Sequence, residues 1–204
     1  LTENLVENGK KTAQNYYNAR GWVNHMKTNP WFVTAPGEFA SWGSSLTGGA
    51  WLTTHIWENY RFTRNKELLE QYYPVIKGAA QFLQDILIEE PQNQWLVTAP
   101  SNSPENTYIQ PNGYRGETVM GPTMDMQIAR NVFQAVIESS KILGKDQAYA
   151  DSLTIVSQRL APNQISPSDG GIQEWLEDWP AADPHHRHVS HLFGLHPFDE
   201  INRQ

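Results

Sequence analysis

The stretch from Gly170 to Pro197, GGIQEWLEDWPAADPHHRHVSHLFGLHP, holds the densest set of groups able to do chemistry in this chain. Glu174, Glu177, Asp178 and Asp183 stand in it beside Arg187 and five of the seven histidines, His185, His186, His188, His191 and His196. Neither a core nor a solvated face needs such a mixture, so the stretch reads as a site. Histidines beside carboxylates first suggest a metal, with His185, His186, His188 and His191 as donors. There is no HExxH, however, and Pro180 and Pro184 interrupt any long helix that could align the rings on one ion. A structural alternative makes Asp183 the N-cap and Pro184 the first turn of a helix running through HHRHVSHLFGLH. On that helix Val189, Leu192, Phe193 and His196 face the core. It leaves unexplained why Arg187 and His188 share one end with so much aromatic surface.

A second candidate lies far upstream, at Glu105 in SNSPEN. It follows a strand and Pro104, between polar groups and Tyr108, a setting in which a carboxyl can serve as a general acid. The bland reading is a glutamate in the first turn of a helix capped by Ser103. Glu174, Glu177 and Asp178 are the obvious partner carboxylates. In glycoside hydrolysis two carboxyls flank the bond, ~5 Å apart for retention and roughly 6.5 to 9.5 Å for inversion through a water.

Composition narrows the partners. The chain has 204 residues, enough for one domain with a real core. Its eight tryptophans are many for that length, and tryptophans among carboxylates suit sugar rings, whose C–H faces are apolar and whose hydroxyls need planar acceptors. A net charge of −7 argues against nucleic acid and against an anionic membrane surface as partners, since both need clustered Lys and Arg. With no cysteine, disulfides and Cys–His zinc sites are excluded. No apolar run is long enough for a membrane-spanning helix, and LTENLVENGKK has neither the n-region nor the h-region of a signal peptide.

The elements that must position these groups read as helices. Asn4 to Tyr17 carries a stripe of Leu5, Val6, Ala13, Tyr16 and Tyr17. The non-periodic stretch from Ala19 to Leu46 is too long for an idle loop, and Trp22, His25, Asn29, Trp31 and Trp42 suit the wall of a polar cleft. Gly48 to Phe62 is a helix with Leu52, Ile56 and Tyr60 on one side. Asn65 caps a long helix from Lys66 to Glu89, which Pro74 kinks or splits. Trp95 to Ala99 is the one convincing strand. Thr123 to Leu143 is a helix closed by Gly144, and Asp146 caps a last one reaching Leu160. The class is all-α, a helical toroid or hairpin array with one short strand and no visible sequence repeat.

Five segments in this order, TGGAWLTTHIWENYRFT, YPVIKGAAQFLQDIL, WLVTAPSNSPEN, MGPTMDMQIARNVF and QEWLEDWPAADPHHRHVSHLFGLHP, closely resemble the catalytic domain of glycoside hydrolase family 95. The resemblance covers nearly the whole chain. It implies α-L-fucosidases, notably of 1,2-linkages, with some α-L-galactosidases, and a secreted or periplasmic bacterial enzyme. It implies an (α/α)6 barrel, inverting hydrolysis of terminal α-L-fucosyl residues of a fucosylated oligosaccharide or glycan, no cofactor and no metal in the chemistry. By the same resemblance Glu105 matches the general acid, and Arg187 and His188 match residues that bind the fucose hydroxyls. Trp42, or another tryptophan between 22 and 51, packs on the sugar's methyl face. Glu174, Trp175 and Asp178, with His191, supply structural support.

The chain also departs from the family pattern. There the water is activated by asparagine assisted by aspartate, from segments that lie outside residues 1–204, and an N-terminal β-sandwich and closing helices of the barrel lie outside them too. The expectation is therefore part of one (α/α)6 catalytic domain, inactive or nearly so in isolation and exposing apolar faces that favour association. A non-catalytic carbohydrate-binding helical domain, using the tryptophans and Arg187 without Glu105, is the alternative.

Overall fold

Helix α1 (Thr2–Tyr17) buries Leu5, Gly9, Thr12 and Ala13, positions one, five, eight and nine of a single stripe at helical spacing. Asn18 ends it in the left-handed conformation, and the Ala19 amide reaches back to the Ala13 carbonyl at 3.2 Å, the bonding of a Schellman stop. Tyr16, read as part of the stripe, is 62% exposed. The computed structural model describes residues 1–202 and continues through a short helix α2 (Ala40–Gly43), then α3 (Gly48–Thr63) and α4 (Lys66–Ile86). Six short strands follow: β1 (Leu87–Glu89), β2 (Leu96–Thr98), β3 (Ser101–Asn102), β4 (Tyr108–Ile109), β5 (Arg115–Gly116) and β6 (Thr118–Val119). Helices α5 (Thr123–Leu143) and α6 (Gln147–Arg159) lead to an irregular stretch with one 3-10 turn, Ser190–Leu192.

The helices stack in sequence. Helices α3, α4 and α5 pack on one another, and α5 packs on α6. Helix α5 is buried on nearly every face: Met124, Met126, Ile128, Ala129, Val132, Phe133, Ala135 and Val136 are all within 2% of complete burial. Each such side chain removed from water contributes on the order of 1.5–3 kcal/mol, so α5 is the rod on which the site is hung. The Asn65 side chain accepts from the Leu68 amide at 3.0 Å and starts α4 as the sequence requires. Pro74 lies inside α4 without splitting it.

Four expectations need correction. Among the described residues the single strand is instead six, paired antiparallel as β1–β2, β3–β6 and β4–β5. Helix α4 stops at Ile86, because Leu87 turns extended and Leu87, Ile88 and Glu89 pair with Thr98, Val97 and Leu96. Asp146 precedes α6 without capping it; its carboxylate accepts from Lys77 Nζ at 2.8 Å instead. No α-helix runs from 184 to 196, the alternative considered for that stretch: it is bends and turns around the 3-10 turn Ser190–Leu192, with Phe193 buried but Val189 58% exposed and His196 exposed.

The long loop from Ala19 to Leu46 is only partly a cleft wall. Trp22 and His25 are buried. The Trp22 indole donates to the Val75 carbonyl at 2.8 Å, clamping the loop to α4. Gly21, at φ +67°, makes this approach possible, since a Cβ there would stand 1.9 Å from the Gly78 carbonyl oxygen. His25 Nδ1 lies 2.7 Å from the Thr34 carbonyl and Nε2 lies 2.6 Å from the Tyr17 hydroxyl. A carbonyl only accepts, so the neutral ring carries its proton on Nδ1 and accepts a hydrogen bond from the Tyr17 hydroxyl at Nε2. Burial pushes the His25 pKa down and Tyr17 up to about 12, which keeps both uncharged.

Candidate active site

Glu105 sits in a tight turn that begins where β3 ends, closed by the Asn106 amide donating to the Ser103 carbonyl at 2.8 Å. No helix begins here, so the reading of Glu105 as a first-turn residue capped by Ser103 is set aside. The turn is gripped from the far end of the chain. The Glu105 amide donates to His188 Nδ1 at 3.2 Å, and the Ser190 hydroxyl donates to the Pro104 carbonyl. Arg187 Nη2 donates to Glu105 Oε2 at 2.5 Å. Residues 105, 187 and 188 thus share one surface.

These contacts assign protons. His188 Nδ1 accepts from a backbone amide, so the neutral ring carries its proton on Nε2 and presents a donor there. The Arg187 side chain is 68% exposed and that of Glu105 35%. An ion pair this open contributes little to stability, about 0–1 kcal/mol, and is free to exchange partners.

The turn opens on a cavity of about 440 Å³. Glu105, Arg187, His188, Ser190 and His196 are its polar side chains, and Trp51, Met26, Met124 and Phe193 supply apolar wall. Each is placed by an element already described. Trp51 comes from the first turn of α3 and packs edge-on to Phe193, with ring centroids 5.2 Å apart at 80°. Met124 comes from the first turn of α5. Buried Gln127, one turn further along α5, accepts from the Gly194 amide at 2.8 Å and donates to the His191 carbonyl at 2.9 Å. It thereby pins the 3-10 turn that follows Arg187 and His188.

Trp42, the tryptophan expected on the sugar, does not line this cavity. Its ring lies near Phe39, 6.0 Å between centroids, with Lys27 Nζ 4.9 Å above it. Of the tryptophans between 22 and 51, Trp51 lines it. The signal was available in the GGAW of α3, where two glycines lead a large aromatic into the first turn. Met26 had no signal, because it is carried by a non-periodic loop.

The expected supporting residues divide. Glu174 Oε1 accepts from the Ser103 hydroxyl at 2.6 Å and Oε2 accepts from Asn106 Nδ2 at 3.0 Å. His191 Nδ1 is 3.5 Å from Glu174 Oε2. Asp178 is exposed and lines a second cavity of about 340 Å³ together with Asn106, Glu174, His188 and His191. Among the described residues no group of His, Asp and Glu stands close enough to hold a metal ion, and no helix is long and apolar enough to cross a membrane.

One buried acid lies behind the site. Asp125, at the start of α5, is fully buried and accepts from Thr47 Oγ1 at 3.1 Å and Thr98 Oγ1 at 2.7 Å. Burial pushes its pKa up to about 6, against the pull of these donors. It ties α5 to the start of α3 and to the end of β2.

Comparison with known proteins bears on this arrangement. Residues 1–204 match the model of the glycosyl hydrolase family 95 catalytic domain from end to end. The chain belongs to glycosyl hydrolase family 95. Alpha-L-fucosidase 2 of Arabidopsis thaliana is 44% identical over 197 residues, covering 95% of this chain and 23% of that protein. Probable alpha-fucosidase A of Aspergillus niger is 30% identical over 203 residues, covering 97% of this chain and 25% of that protein. The chain spans about a quarter of the length of these relatives. Within family 95, then, this is the part of the catalytic domain that brings a turn-borne glutamate against an arginine and a histidine from more than eighty residues downstream.

Proposed function

We propose that this chain carries the proton donor and part of the sugar pocket of an α-L-fucosidase. The observation that supports the reading best is the meeting of the Glu105 carboxyl with Arg187 and His188 at the mouth of one cavity. The names of the two relatives point the same way.

In this reading Glu105 gives its proton to the glycosidic oxygen as the C1–O bond breaks and the sugar takes on oxocarbenium character. Arg187 leaves the carboxylate to donate to a sugar hydroxyl, and His188 donates to another through Nε2–H. A water adds to the opposite face of C1 and yields its proton to a base. The family resemblance assigns that base to an asparagine assisted by aspartate, outside residues 1–204. The substrate is then a glycan ending in α-L-fucose, and the first product is β-L-fucose.

The lining favours fucose over L-galactose, which differ only at C6. Trp51, Met26, Met124 and Phe193 offer a methyl group apolar contact, which an added C6 hydroxyl on this wall would lose in part. Such a wall discriminates by roughly 10–200-fold. The test is proton NMR of 2′-fucosyllactose incubated with the longest natural chain that contains these residues. β-L-fucose appearing first, with the L-galactosyl analogue at least ~10-fold slower, is the expected result. Release of α-L-fucose first, or no fucose at all, would overturn the reading.

A further inference from the structure

We infer that Glu174 is a positioning residue for the proton donor: its carboxylate fixes the turn that aims Glu105. The inference rests on the reading of Glu105 as general acid and deepens it. Glu105 is bracketed by Ser103 and Asn106, and one carboxylate receives a hydrogen bond from each, at 2.6 and 3.0 Å. The two oxygens of Glu174 therefore span the base of the turn while Glu105 projects from its tip.

Asn106 has no freedom to turn its amide over. Its Oδ1 accepts from the Thr107 amide at 2.9 Å, so Nδ2 must point at Glu174 and needs an acceptor there. Glu174 is equally fixed. Its carbonyl accepts from the Thr123 amide at 3.1 Å, and the preceding Gln173 carbonyl accepts from the Thr123 hydroxyl at 2.7 Å. Both bonds tie it to the first residue of α5, the most deeply buried helix. Next in sequence, Trp175 is 2% exposed and packs edge-on to Tyr108, at 5.8 Å and 70°. The support thus runs from the core through α5 to the carboxylate and on to the turn. The Glu174 side chain itself is only 10% exposed and lines the second cavity, not the one that Glu105 lines, so it acts through Glu105.

A residue that aims a proton donor is recognised by which substrates need it. A sugar leaving group departs as a poor alkoxide and depends on the proton, whereas a nitrophenolate leaves without one. The experiment compares Glu174→Ala with the wild type and with Glu105→Gln, in the longest natural chain containing these residues, on 2′-fucosyllactose and on 4-nitrophenyl α-L-fucoside. Glu174→Ala is expected to lower kcat on the oligosaccharide by about 100-fold, the cost of a donor misplaced by an ångström or so. KM should stay within about twofold, and kcat on the nitrophenyl glycoside within about fivefold. Ser103→Ala and Asn106→Ala, each cutting one bond of the bracket, should show the same substrate bias at smaller size. If Glu105→Gln shows the bias while Glu174→Ala slows both substrates alike or neither, the positioning role is overturned and the general acid survives. If Glu105→Gln shows no bias, or the wild type releases no fucose, the underlying reading fails and this inference with it.

Discussion

Glu105 is located by its backbone more than by its side chain: the amide on His188, the neighbouring carbonyl on Ser190 and the flanking residues on Glu174 fix where the carboxyl emerges. Its one side-chain partner, Arg187, is mostly exposed. Arg187→Ala should therefore leave stability within about 0.5 kcal/mol, while kcat/KM for a fucosyl oligosaccharide falls by roughly 10–100-fold through the lost charge-assisted hydrogen bonds. Thermal unfolding and steady-state kinetics on one preparation separate the two effects. At this scale the sequence was informative about residue type and poor on placement. Glu105 and the Arg187–His188 pair stood out in their motifs, but no local rule places residues more than eighty positions apart together. Hydrophobic periodicity alone did not rank Trp42 against Trp51, because α3 buries Gly49, Ala50, Thr53 and Thr54 beside Trp57 and Tyr60. Its inner face is thus of mixed polarity and only partly marked by hydrophobic periodicity.

At the scale of elements, α5 carries the arrangement, and Asp125 is its most telling residue. A carboxyl whose pKa is raised by burial from 3.8 to about 6 binds its proton more tightly in the folded than in the unfolded state. Its contribution to stability is therefore fully present below about pH 4 and is lost as pH rises through about 6, a change of about 3 kcal/mol. Asp125→Asn has no such proton to lose. Equilibrium urea unfolding across this range should show the wild type losing ground to the variant by about that amount, and parallel pH profiles would contradict it. Long elements with ordinary signals were legible: α5 between Gly121-Pro122 and Gly144, and α4 from its Asn65 cap. The short strands were not, since two or three residues cannot display a period of two. The β1–β2 turn is held by a side chain, with the Glu90 carboxylate accepting from the Gln92, Asn93 and Trp95 amides. The stretch after Pro184 read as a helix because its apolar spacing suits one. In the structure its bonds go to the Glu105 turn and to Gln127 instead.

Across the whole molecule, the site is a junction of chain-distant parts: a loop and α3 give one wall, α5 the floor, the β3 turn the carboxyl, and the last irregular stretch the arginine and histidine. The helical class and the family were both readable from the five segments in their order; the role of Glu174 was not, because it depends on which residues its carboxylate meets. All of this matters for function only if Glu105 delivers a proton. The most direct measurement is fucose release from 2′-fucosyllactose by Glu105→Gln, made in the longest natural chain containing these residues, with circular dichroism to verify folding. A loss of about 10²–10⁴-fold in kcat, with the fold unchanged, is the predicted result. Turnover within about threefold of wild type would contradict the account.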